Sequence, residues 1–125
     1  MRSFVLQDWI TIRGAASTNV TQGESDWLDL APYQDISIYL DVREVTPSVG
    51  SPTMHFETSP NKEDVLFQDM VSPFTISTSP SNPYRVAITT AQCPVARYVR
   101  WRIVAPASLW DATFRVLVSA DALGL

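Results

Sequence analysis

Residues 35–45 read DISIYLDVREV. Ile36, Ile38, Leu40 and Val42 occupy every second position, and Ser37, Tyr39, Asp41 and Arg43 fall between them. Successive side chains of a β-strand point to opposite faces, so this alternation separates an apolar face from a polar one. The stretch predicts a half-buried strand, with Tyr39 and Asp41 on its outer side.

The same period recurs on both sides of it. In ARYVRWRIV (96–104), Val99, Trp101 and Ile103 share one face while Tyr98, Arg100 and Arg102 share the other. In LWDATFRVLVSA (109–120), Trp110, Ala112, Phe114, Val116 and Val118 alternate with Asp111, Thr113 and Arg115. PYRVAITTA (83–91) sets Tyr84, Val86 and Ile88 inward. Weaker strands are expected in FVLQDWITI (4–12), SDWLDL (25–30), TMHFET (53–58), VLFQDM (65–70) and PFTIS (73–77). Clusters such as TQGES, TPSVGSP, SPNKED and APAS supply the turns. Helical periodicity is not sustained in any segment.

Eight or nine short strands, each with one apolar face, argue for an all-β fold. The expected architecture is a two-sheet antiparallel β-sandwich. No linker, repeat or low-complexity tail divides the sequence, so residues 1–125 are expected to form one domain. Its core should contain Ile38, Leu40, Val86, Val99, Trp101, Phe114 and Val116.

Composition excludes several classes of function. The 125 residues carry 9 basic and 13 acidic side chains, for a net charge of −4. The basic residues are scattered, so no electrostatic footprint for nucleic acid is present. Asp8 interrupts the apolar run near the N-terminus, so no signal peptide is read there. No segment approaches the roughly 20 apolar residues of a membrane span. Cys93 is the only cysteine, which removes an internal disulfide and any thiolate zinc site. His55, the only histidine, sits in TMHFET and alternates away from Met54 and Phe56. It has no recognisable nucleophile motif around it, and the Gly-rich phosphate loops are missing. The chain is read as a non-enzyme without a cofactor. One weak oxygen-ligand set for Ca²⁺ is Asn61, Glu63 and Asp64 in the SPNKED turn.

Interaction surfaces remain. Arg100, Arg102 and Tyr98 share the outer side of one strand, and Arg115 takes the outer side of the next. If these two strands pair, their guanidinium groups form one patch, with Tyr39 and Asp41 within cross-strand reach. Arg and Tyr are favoured at protein interfaces and Lys is depleted there; this chain has eight Arg and one Lys. Tyr98, Arg100, Arg102, Arg115, Tyr39 and Asp41 are therefore the interface candidates. Trp9, Trp27 and Tyr33 are the alternative set, aromatics suited to a sugar ring.

ARYVRWRIVAPASLWDATFRVLVSA resembles the C-terminal strand pair of discoidin-like (coagulation factor 5/8 C-type) domains. The matching residues are Ala96, Arg97, Tyr98, Val99 and Arg100, then Phe114, Val116 and Val118. MHFETSPNKEDVLFQDM (54–70) resembles the same family's strand, polar turn and aromatic strand. This chain lacks the terminal cysteines of that family and its hydrophobic loop spikes. The resemblance implies a jelly roll. As a short, acidic, cysteine-poor sandwich, the whole chain is similar in type to small virion proteins of tailed bacteriophages and gene transfer agents. That likeness implies a capsid decoration, spike or adaptor subunit, made in the bacterial cytoplasm and carried in the virion. Its partners would be other virion or assembly proteins in an oligomer. A carbohydrate-binding module is the alternative.

Overall fold

The computed structural model describes residues 2–46, 52–76, 84–89 and 95–122. Ten strands are found among them. They are β1 (Arg2–Gly14), β2 (Val20–Thr21), β3 (Leu28–Asp29), β4 (Tyr33–Thr46), β5 (Thr53–Ser59), β6 (Gln68–Asp69), β7 (Phe74–Thr75), β8 (Tyr84–Thr89), β9 (Tyr98–Val104) and β10 (Trp110–Ala122). Two 3₁₀ turns, Glu24–Asp26 and Asp64–Leu66, are the only helical elements among the described residues.

The strands form two antiparallel sheets. Sheet A has the order β1-β10-β4-β8. In sheet B, β9 and β5 are central; β2 and β3 both pair with β9, and β6 and β7 both pair with β5. Counting each broken edge as one strand leaves eight strands in jelly-roll order, with successive strands in opposite sheets except β5 and the β6–β7 edge, which are neighbours in sheet B. The winding agrees with the expectation from sequence. It is shared by unrelated proteins, so it does not by itself carry the discoidin resemblance.

Alternation fixes which faces meet. Ile38, Leu40 and Val42 of β4 and Ala112, Phe114, Val116 and Val118 of β10 are buried against Met54, Phe56, Val99, Trp101 and Ile103 of sheet B. The Trp101 and Phe114 rings meet edge to face across the sheets, with centroids 5.3 Å apart. Each large apolar side chain contributes about 1.5–3 kcal/mol when fully buried. All the expected core residues with described side chains are inside. The side chains of Tyr84, Val86 and Ile88 lie outside the described part, as does Cys93.

Three segments depart from the expected strands, PFTIS keeping only Phe74–Thr75. SDWLDL and VLFQDM each begin with a 3₁₀ turn and keep only two residues of strand. Their apolar residues do not alternate for long enough to hold a ladder. The two-residue strand β2 was not expected.

β1 is irregular between Val5 and Ile10, where its register against β10 shifts twice. The irregularity turns Gln7 toward the core edge, where its Oε1 accepts the Trp101 Nε1–H at 3.2 Å. Gln22 is 3% exposed and links the sheets. Its Nε2 donates to the Leu6 carbonyl at 2.6 Å, and its Oε1 accepts the Trp101 backbone N–H at 3.4 Å.

Candidate functional site

On the outer side of sheet B, the register sets Arg100 opposite Glu57 and Arg102 opposite His55. Arg100 Nε donates to Glu57 Oε1 at 2.9 Å, and Arg102 Nε donates to Oε2 of the same carboxylate at 3.1 Å. Arg100 Nη1 donates to Asp64 Oδ1 at 2.6 Å. The two 3₁₀ turns bring aromatic rings over this group. Phe67 lies 3.8 Å from the Arg100 guanidinium and Trp27 lies 5.0 Å from it. The rings meet edge-on at 4.7 Å, and the Trp27 indole N–H is taken by the Gln22 carbonyl. Arg100 is left 3% exposed and Glu57 5%.

A guanidinium suits such a place better than an ammonium. It is planar, weakly hydrated and able to stack while it donates to two carboxylates. Once buried, each charge depends on its partner, because an unpaired ion there is far more costly than a paired one. The outer face of sheet B is thus closed around Arg100 by the chain's own loops.

The rim is also polar. Arg97 holds Asp29 by two hydrogen bonds, of 3.2 and 3.0 Å. The hydrogen bond from Arg97 lowers the Asp29 carboxyl below its ordinary value, and the same contact raises Arg97. Tyr98 lies between Lys62 and Arg97, with its ring centroid 5.5 and 5.0 Å from their charged ends. His55 Nδ1 is 3.0 Å from Asp69 Oδ1.

The outer side of sheet A is open among the described residues. Arg115 Nε donates to Asp41 Oδ2 at 3.1 Å. The Trp9 ring is approached by the Arg43 and Arg115 guanidinium groups at 4.9 and 5.0 Å. The Thr11 and Thr113 hydroxyls share a hydrogen bond of 2.8 Å. One residue row along, Val5, Leu117 and Tyr39 lie side by side on three neighbouring strands. They line a shallow groove of about 290 Å³. Val5 is 58% exposed, Tyr39 46% and Trp9 38%.

The structure corrects the single arginine patch expected from sequence. β9 and β10 lie in different sheets and do not pair. Tyr98, Arg100 and Arg102 therefore occupy one side of the sandwich, and Arg115, Tyr39 and Asp41 the other. Arg100 is not on an open wall, since two loops cover it. Of the aromatic set, Trp9 is on the open face, Trp27 is packed on Arg100, and Tyr33 meets Phe4 edge-on at 5.1 Å. The three do not share a platform. In the proposed calcium turn, Asn61 Oδ1 accepts the Glu63 N–H at 3.0 Å and Asp64 turns to Arg100. No group of three or more His, Cys, Asp or Glu residues suited to a metal occurs among the described residues. No helix among them is long and apolar enough to cross a membrane.

Sequence reading passed over Glu57, Phe67 and Arg43. Glu57 was legible in the period of TMHFETS, which sends it outward with His55. Phe67 was not, because it arrives from a turn. Arg43 was placed outward, but its stacking on Trp9 depends on β4 and β1 both flanking β10.

No family model matches the chain. No curated protein matches it. A solved structure reported with the words "Bacillus endospore appendages form a novel family of disulfide-linked pili" is similar over 99% of this chain and 93% of its own. The two share 17% identity, with a TM-score of 0.48.

Proposed function

We propose that this chain is a non-catalytic structural subunit of a larger protein assembly, which it joins through the outer face of sheet A. The observation that carries this reading is the contrast between the two sides of the sandwich. Sheet B is covered by the chain's own turns around Arg100, whereas sheet A presents Trp9, Tyr39, Arg43, Arg115, Val5 and Leu117 without such a cover among the described residues. Trp, Tyr and Arg are the residues that most often anchor protein interfaces. Charge pairs such as Arg115–Asp41 keep the face soluble and fix its geometry.

The assembly we propose is a bacteriophage-like virion, with the chain as a decoration, spike or adaptor subunit. The supports are the short, acidic, cysteine-poor sandwich and the jelly-roll winding, which recurs in capsid proteins. The test is co-sedimentation of the purified chain with particles from its host. Association is expected, and the Trp9→Ala, Tyr39→Ala double variant should weaken it by at least about tenfold, as loss of an interface anchor does. Unchanged association of that variant would reject the face. Failure of the parent chain to associate with particles would reject the virion reading.

A further inference from the structure

β1 runs for thirteen residues along one edge of sheet A and pairs only with β10 among the described residues. The two edges of sheet B are different. Each is broken into two-residue strands by a turn, a common means of preventing further pairing.

The edge of β1 has two parts. Around its irregular stretch the backbone is occupied. Gln22 takes the Leu6 carbonyl, Gln7 Nε2 donates to the Asp8 carbonyl at 3.0 Å, and Asp8 Oδ1 accepts the Trp9 N–H at 2.8 Å. From Ile10 to Gly14 the strand is regular against Phe114–Trp110. There, among the described residues, no side chain or loop hydrogen-bonds to the backbone. Alternate residues of such a strand aim their N–H and C=O groups away from the sheet.

We propose that a second copy of the chain pairs with this segment, antiparallel, about a twofold axis at Thr11. The segment is self-complementary in that register. Thr11 faces its counterpart, and Ile10 faces the second copy's Ile12 on the core side; both isoleucines are half-buried at the open margin of the sandwich. On the outer side, Arg13 faces the second copy's Trp9, with Asp8 next to it. Arg13 and Asp8 are exposed, and neither makes an ion pair among the described residues. Arg43 and Arg115 approach Trp9 from strands on the far side of β1 from this edge, so the two sets of guanidinium groups come from opposite sides. Centring the axis at Asp8 instead would oppose two carboxylates. The paired copies form a continuous sheet through an interface that closes on itself. The pairing is made by the backbone of an edge and shares only Trp9 with the face assigned to the virion, so it is tested at Thr11, Ser3 and Arg13, outside that face's anchors.

The test uses the full chain. Directly opposed residues of an antiparallel pair lie about 4.5–5.5 Å apart at Cα, within the range of a disulfide. In a Cys93→Ser background, Thr11→Cys is expected to form a covalent dimer under mild oxidation. Ser3→Cys, on the same strand and the same side but far from the axis, is expected to remain a monomer. The unmodified protein should sediment as a dimer, and Arg13→Glu should raise its dissociation constant at least about tenfold, because the twofold repeats each Arg13 contact and the variant sets a carboxylate beside Asp8 in both places. A monomer at every concentration up to about 1 mM, a range that detects pairing near −4 kcal/mol, would overturn the proposal. So would equal cross-linking of the Thr11→Cys and Ser3→Cys chains. Particle association is a separate readout and can fail or succeed without changing either result.

Discussion

Arg100 and Glu57 face each other across β9 and β5 with 2.9 Å between Nε and Oε1, and both are buried. Removing Arg100 leaves the buried Glu57 carboxylate with only the partly exposed Arg102 as partner. Arg100→Ala is therefore expected to lower stability by about 3 kcal/mol, the low end for a broken buried pair. Arg102→Ala should cost about 1 kcal/mol, because Glu57 keeps its stronger partner. Arg100→Lys should recover little, since an ammonium cannot stack on Phe67 while holding two carboxylates. Urea denaturation of the three variants checks the order.

Gly14 has no room for a side chain. A Cβ built on it would lie 2.0 Å from the Trp110 ring, which is 3% exposed and fixed in the core. Gly14→Ala must push that ring away and is expected to cost about 1–3 kcal/mol. A lower melting temperature with altered tryptophan emission is the expected result. An unchanged melt would mean that the indole is free to move.

Gln22 is the polar link between the two sheets. Gln22→Leu keeps its bulk but leaves the Leu6 carbonyl without its buried donor. The expected loss is about 1–3 kcal/mol. Hydrogen exchange should accelerate at the Trp101 amide, whose side-chain acceptor is the same glutamine. Protection that stays at the parental level would argue against this link.

Asp29 should titrate below the ordinary aspartate range, because Arg97 donates to it. A carboxyl lowered by folding adds stability above its unfolded pKa, and that increment is lost as pH falls through the folded value. The window therefore lies on the acid side of about 3.9. A carbon-detected NMR titration of the Asp29 carboxyl gives the value directly. Arg97→Gln should return it toward the ordinary range, and no movement would assign the shift to another cause.

The sheets were legible because alternation is a local signal. Ile38, Leu40, Phe114 and Val116 announce their side of the strand without knowledge of any neighbour. Which strand lies beside which is not local. Arg102 and Arg115 look alike in sequence, yet the connection 105–109 crosses from one sheet to the other and sends them to opposite sides. The cover over Arg100 was hidden for a related reason. Trp27 and Phe67 reach it from turns, where no period tells a reader which way a ring will face.

The order of synthesis and the order of the sheet disagree. Of the described strands β10 is made after all the others, and it lies between β1 and β4, with Arg2 opposite Ala120 and Ile38 opposite Val118. On the ribosome, the first strand and the fourth can be complete while the strand that joins them is still absent. Sheet A then has no centre, and the core faces of β1 and β4 stay exposed until β10 emerges. Pairing at such sequence separation is slow, and the waiting strands are prone to wrong partners. A chain cut short before Trp110 would lose the middle of a sheet, not a dispensable tail.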